Sequence, residues 1–128
     1  MEQFGISTLN PADLPLSLSQ REVWLDQCAW PESTHLNIGG GGYIKGYFER
    51  ATFVAALTDL VAENEALRLV PGMHGRQMLL ATYQPVLEEI DFSASVEPES
   101  ALRDWLKESI AQPFNLGEAP PWRFALLR

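Results

Sequence analysis

Few residues of this chain have the type and spacing that chemistry needs. His35 and His74 stand far apart, and neither has a Cys, His or carboxylate at ligand spacing, so no metal site is expected. Glu88, Glu89 and Asp91 could pass for a general acid/base pair. In an alternating strand, however, two of them share a face and the third points away, which reads as a solvated acidic edge. Ser17 and Ser19 have no base fixed nearby in sequence, and helix capping accounts for both. The run Gly39 to Gly42 invites a phosphate cradle, but a P-loop needs Lys and then Ser or Thr opening a helix, and a dinucleotide fingerprint needs its glycines at the mouth of one. Neither pattern is present. The run instead predicts a bulge, or a place where another backbone or a ligand arm comes close to a sheet.

Composition narrows the class. With 46% apolar residues and four Trp in 128, the chain reads as globular and as one domain or one lobe. Nine basic against seventeen acidic residues give a formal charge of -8, which works against a nucleic-acid partner. Cys28 falls on an apolar helical stripe beside Val23, Trp24 and Gln27, so it is expected to be packed rather than reactive. No apolar run is long enough to span a bilayer, no leader is evident, and the expected compartment is cytoplasmic.

The elements that would position these residues follow from periodicity and punctuation. Residues 1–16 are mixed and interrupted by Pro, and read as an N-terminal extension. Helical pattern begins at Ser17, where Ser17 with Gln20 or Ser19 with Glu22 could form a capping box, and ends at about Ala29 before Pro31. An extended segment from Leu36 through the glycines to Lys45 comes next. From Glu49 to Asn64, the positions Phe53, Ala56, Leu57, Leu60 and Val61 make an amphipathic helix that covers a sheet. Leu67 to Val70 and Gln77 to Tyr83 read as a strand and its return, with a further strand over Val86 to Phe92. Pro98 opens a last helix striped by Ala101, Leu102, Trp105, Leu106 and Ile110. The final residues, Trp122 to Arg128, form a strand whose apolar edge needs a cover, from the rest of a larger protein or from a second copy in a homodimer. The fold class expected is an α/β (α+β) sandwich, a mixed sheet with helices on one face.

Taken together, four segments resemble the start of a condensation domain of nonribosomal peptide synthetases. Ser17-Leu18-Ser19-Gln20-Arg21-Glu22-Val23-Trp24 is similar to the family's first motif, Ser-x-Ala-Gln-x-Arg-(Leu/Met)-Trp, and keeps Ser17, Gln20 and Trp24. Asn37-Ile38-Gly39-Gly40 followed by Gly46-Tyr47-Phe48-Glu49 resembles its Tyr-Asn-Ile-Gly-Gly strand and the Gly-x-Leu-Asp turn. Glu63 to Arg68 resembles the second motif, Arg-His-Glu-Ala-Leu-Arg, keeping Glu65, Ala66, Leu67 and Arg68 but not its Arg-His pair. Pro113-Phe114-Asn115-Leu116 and the last strand are similar to the family's Pro-Phe-Asp-Leu and Leu-x-Arg-x-x-Leu-x-Arg.

The resemblance implies the N-terminal lobe of a chloramphenicol acetyltransferase-like fold, with residues 17–128 a partial condensation domain that stops before the His-His-x-x-x-Asp-Gly motif. In that family an amine on one carrier-bound phosphopantetheine arm attacks the thioester on another, and the second His of the motif orients or deprotonates the amine. The expected partners are peptidyl carrier protein domains and the remainder of the condensation domain, with no cofactor bound directly. No catalytic residue is expected within these residues, which alone should be inactive. Arg68 matches the motif Arg that pairs with the Asp of the missing loop. Because the first motif starts at Ser17, the donor is expected in trans, or as an acyl group from coenzyme A if this is a starter domain. The alternatives are a lobe of a stand-alone acyl-CoA-dependent acyltransferase, and a non-catalytic binding or dimerisation module.

Overall fold

The computed structural model describes residues 12–128. Strand β1 (Ala12–Pro15) leads into helix α1 (Leu18–Ala29). Of the two capping boxes available, Ser17 with Gln20 forms: the Ser17 hydroxyl accepts from the Gln20 backbone amide at 3.2 Å, and the Gln20 side-chain Oε1 accepts from the Ser17 backbone amide at 2.9 Å. Helix α2 (Arg50–Glu63) follows, then a 3-10 turn over Glu65–Arg68. Strands β2 (Leu69–Pro71), β3 (Arg76–Leu79) and β4 (Leu87–Ile90), helix α3 (Pro98–Ile110) and strand β5 (Phe124–Leu127) complete the order.

The pairing is mixed, but divided between two small sheets. One is antiparallel in the order β1-β3-β2, and in the other β4 and β5 run parallel. The first depends on a reversal between β2 and β3 through His74 and Gly75, both at positive φ (62° and 70°). Such left-handed residues suit a tight antiparallel reversal, so His74 serves as a turn residue. Arg76 clamps β1 to β3 by donating from Nε to both Asp13 carboxylate oxygens, each at 2.8 Å.

Three expectations need correction. Part of the predicted N-terminal extension, 1–16, enters the sheet as β1, because Ala12 to Pro15 pair with the free side of β3; the rest of that extension lies outside the described residues. The strand predicted from Leu36 to Lys45 has no ladder partner among the described residues. Four glycines raise the entropy of fixing such a segment, and nothing beside it supplies bonds to offset that. Cys28, expected to be packed, is exposed: α1 meets the sheet near its start, where Gln20 bonds Gln77, and Cys28 lies about two turns further along the helix.

The core is thin. Leu57 and Val61 of α2 are buried together with Val70 of β2 and Leu80 just beyond β3, while Leu60 on the same helix is half exposed. Helix α3 has no fully buried residue, although its stripe is half covered.

Candidate functional site

Arg68 ends the 3-10 turn and is only 9% exposed. Three backbone oxygens satisfy it: Nε donates to Leu80 at 3.0 Å, and Nη1 donates to Val61 at 2.9 Å and also to Ala62. The oxygens of Val61 and Ala62 belong to the last turn of α2, where carbonyls lack helical partners and a cation is favoured. Nη2 makes no hydrogen bond among the described residues, and no buried side-chain nitrogen or oxygen is left unpartnered there. No carboxylate of the described residues pairs with this guanidinium.

The first-motif residues sit on α1 against β3. Gln20 and the buried Gln77 exchange amide hydrogen bonds at 3.2 and 3.1 Å, and Gln77 also donates to the Pro15 oxygen at 3.2 Å. One motif glutamine thus caps its own helix and joins it to the sheet. Trp24, half buried on the same helix, lines the open groove between α1, the glycine segment, α3 and β5.

The glycine segment is fastened at one end. Asn37 donates from Nδ2 to the oxygens of Ile110 and Gln112 at 2.8 and 2.9 Å, capping the end of α3. At Gly39 a Cβ would stand 2.3 Å from the Ile110 side chain, whereas at Gly40, Gly41 and Gly42 it would meet nothing within 4 Å. Only the first of the four glycines is thus required by anything within the described residues.

The remaining chemistry is peripheral. Arg50 pairs with Glu89 across the groove, and that hydrogen bond holds the Glu89 carboxyl below its ordinary range. Asp91 is likewise lowered, by the hydroxyl and amide of Ser93. Glu88 is exposed. His35 bridges Ser33 on Nδ1 and Asp26 on Nε2, the latter at 3.1 Å, a link that closes the turn after α1. Neither Gln77 nor the capping role of Asn37 was legible in sequence, because polar residues satisfied by distant backbone carry no local periodicity. No group of three or more potential metal ligands comes together among the described residues.

A family model described as the condensation domain matches residues 10–128. The chain belongs to the condensation-domain family. Among curated relatives, the isonitrile lipopeptide synthase of Mycobacterium tuberculosis is 30% identical over 127 residues, which is 96% of this chain and 5% of that protein. The dimodular nonribosomal peptide synthase of Bacillus subtilis is 31% identical over 123 residues, 91% of this chain and again 5% of the relative. The starter condensation domain of rhizomide synthetase RzmA matches with a TM-score of 0.75 at 28% identity, covering 91% of this chain and 29% of that structure. A variant of that domain solved with C8-CoA and Leu-SNAC matches with a TM-score of 0.74 at 29% identity, over 91% of this chain and 27% of the other. The chain thus spans a twentieth of the curated synthetases and under a third of the solved condensation domains. Its α/β fold is that of the condensation domains, the chloramphenicol acetyltransferase-like class. No helix among the described residues is long and apolar enough to cross a membrane.

Proposed function

We propose that these residues form the N-terminal portion of a condensation domain that joins a donor acyl or peptidyl thioester to the amine of a carrier-bound aminoacyl acceptor. The observation that carries the reading is the family model spanning residues 10–128. In this reading Arg68 is a positioning residue. Its Nε and Nη1 are spent on backbone oxygens, which leaves Nη2 for the carboxylate of the His-His-x-x-x-Asp-Gly loop supplied by the rest of the domain. Ser17, Gln20 and Trp24 act structurally, and peptidyl carrier proteins deliver the phosphopantetheine arms. In this reading the base is a histidine of that loop, as the family resemblance implies, and residues 1–128 alone are expected to be inactive.

A starter reading of the donor is favoured by one observation: the matched RzmA domain is a starter domain, and one of its structures holds C8-CoA. The donor would then be an acyl-coenzyme A rather than a second carrier. The compartment consistent with either donor is the cytoplasm. The deciding assay uses the reading frame prolonged past Arg128 to a whole condensation domain. It is incubated with an aminoacyl thioester and either an acyl-coenzyme A or an acyl-loaded carrier, and amide product is read by mass. Product with either donor supports the reading and identifies the donor; product with neither, from a folded domain, defeats it.

A further inference from the structure

The indole of Trp122 makes one hydrogen bond, and it is a distant one: Nε1 donates to the Leu67 oxygen at 2.9 Å. Indole has a single donor and no acceptor, so this bond uses the whole polar capacity of the ring. Its acceptor has a particular place in the chain. The Leu67 oxygen and the Arg68 nitrogen belong to one peptide unit, which is planar and stiff, so whatever fixes that oxygen also fixes the plane from which Arg68 departs. The turn itself offers little to do this. It is a single 3-10 turn, Glu65–Arg68, in which the Leu67 amide donates to the Asn64 oxygen at 3.1 Å, and 3-10 bonds have poorer geometry than those of an α-helix.

The ring is held in turn. Tyr83 meets Trp122 edge to face with centroids 5.5 Å apart at 84°, and Phe124 meets it at 5.2 Å and 71°, arrangements that the charge distribution of aromatic rings favours. Trp122 is half buried, and its backbone amide donates to the Pro120 oxygen at 2.8 Å. Strand β5 begins two residues later, at Phe124, so the first residue of that strand is also part of the packing around the indole. One side chain therefore joins the root of β5 to the peptide plane of Arg68. The guanidinium end of Arg68 is fastened elsewhere, to oxygens of Leu80, Val61 and Ala62, and the sheet that holds β5 shares no strand with the sheet that holds β2. With Arg123 and Arg128 on the two arginines of the motif Leu-x-Arg-x-x-Leu-x-Arg, Trp122 falls on a position that the motif leaves open. The bond thus belongs to this chain and not to the motif.

We infer that Trp122 is a positioning residue for the condensation: its indole N–H holds the Leu67–Arg68 peptide at a fixed distance from the start of β5, so that the Arg68 side chain and the loop beyond β5 meet in register. The inference rests on the condensing reading given above, in which Arg68 holds the carboxylate of that loop. A misplacement of about 1 Å among groups that align reactants costs up to ~100-fold in rate, and removal of one bond in such a chain of contacts is expected to cost part of that.

Steady-state kinetics test it, on the reading frame prolonged past Arg128 to a whole condensation domain, with an aminoacyl thioester and the acyl donor that the domain accepts. Trp122→Phe keeps an aromatic ring and removes the donor. It should lower kcat ~10-fold while both KM values stay within about twofold, the pattern of a contact that acts on reacting geometry and not on binding. Leu57→Ala, which truncates a buried side chain of α2, should lower the melting temperature further than Trp122→Phe does and yet keep kcat within about twofold. A kcat within twofold of wild type for Trp122→Phe, or a change confined to KM, overturns the inference. So does a kcat loss in Leu57→Ala as large as that in Trp122→Phe, which would make lost stability the cause. Should Trp122→Phe not fold, Trp122→benzothienylalanine takes its place, since it keeps the shape of the indole with sulfur where the N–H was; the same loss is expected, and wild-type kcat again overturns the inference. A frame that closes at Arg128, or a folded wild-type domain that forms no amide with either donor, defeats the condensing reading and this inference together. An active wild type beside an unaffected Trp122 variant defeats the inference alone.

Discussion

Arg68 and Leu80 hold each other by two bonds: Arg68 Nε donates to the Leu80 oxygen at 3.0 Å, and the Leu80 amide donates to the Arg68 oxygen at 3.0 Å. The side chain therefore repeats the backbone pairing of the β2-β3 hairpin and extends it to the end of α2 through the Val61 oxygen at 2.9 Å. This ties the second-motif arginine to the stability of the lobe as well as to any role in positioning a loop.

Replacing Arg68 with Ala strands the oxygens of Val61, Ala62 and Leu80, and buried acceptors without donors cost about 1–3 kcal/mol each, partly offset by removing a buried charge. A net loss of about 3 kcal/mol is expected, or roughly 10–15 °C in melting temperature. Arg68→Lys should recover little, since an ammonium has no planar fork to span oxygens on two elements. Thermal melts of the three proteins check this, and a loss under 2 °C for the Ala variant would remove the structural role.

At Gly39 the argument is steric. A Cβ there would sit 2.3 Å from the Ile110 side chain, so Gly39→Ala should lower stability by about 1–3 kcal/mol. Gly40→Ala meets nothing within 4 Å and should be close to neutral. Pairing Gly39→Ala with Ile110→Ala should recover part of the loss in a double-mutant cycle. Additive behaviour of the two substitutions would show that the contact is absent in solution.

The carboxylates of Glu89 and Asp91 give a pH dependence of definite sign. Both sit below their ordinary values in the folded chain, Glu89 through its bond to Arg50 and Asp91 through Ser93. A lowered folded pKa means that the unfolded chain binds more protons as pH falls. Their stabilisation is therefore complete above the unfolded pKa values, about 4, and is lost as pH falls through the folded ones. Wild type should lose more melting temperature between pH 5 and pH 3 than Glu89→Gln, with parallel curves above pH 6. Identical acid limbs in the two proteins would show that the pair does not persist.

What could be read from the sequence follows the distinction between local and distant bonds. The Ser17 cap, the α2 stripe through Leu57 and Val61, and Pro98 at the first turn of α3 all act within one or two helical turns. Each could be placed from spacing. Gln77 is buried because Gln20 and Pro15, more than fifty residues away, satisfy it, and no window of sequence holds that information. The extended segment after Leu36 was legible as strand chemistry but not as a paired strand, since pairing depends on a neighbour and the described residues provide none. Arg68 was singled out by motif, and only the fold revealed three carbonyls gathered around it.

Cys28 is where helical periodicity misled, and its exposure gives the last prediction. The stripe shared with Val23 and Trp24 suggested packing, but α1 meets the sheet near its start, where Gln20 bonds Gln77; Val23 is half exposed and Cys28 lies at the surface. An accessible thiol reacts with a disulfide reagent such as Ellman's without prior unfolding, whereas a packed one waits for the chain to open. Cys28 should therefore label to completion in native buffer at a rate close to that in denaturant, and Cys28→Ser should leave the melting temperature within about 1 °C because no buried contact is lost. Labelling that requires denaturant would mean that α1 turns its Cys28 side inward in solution.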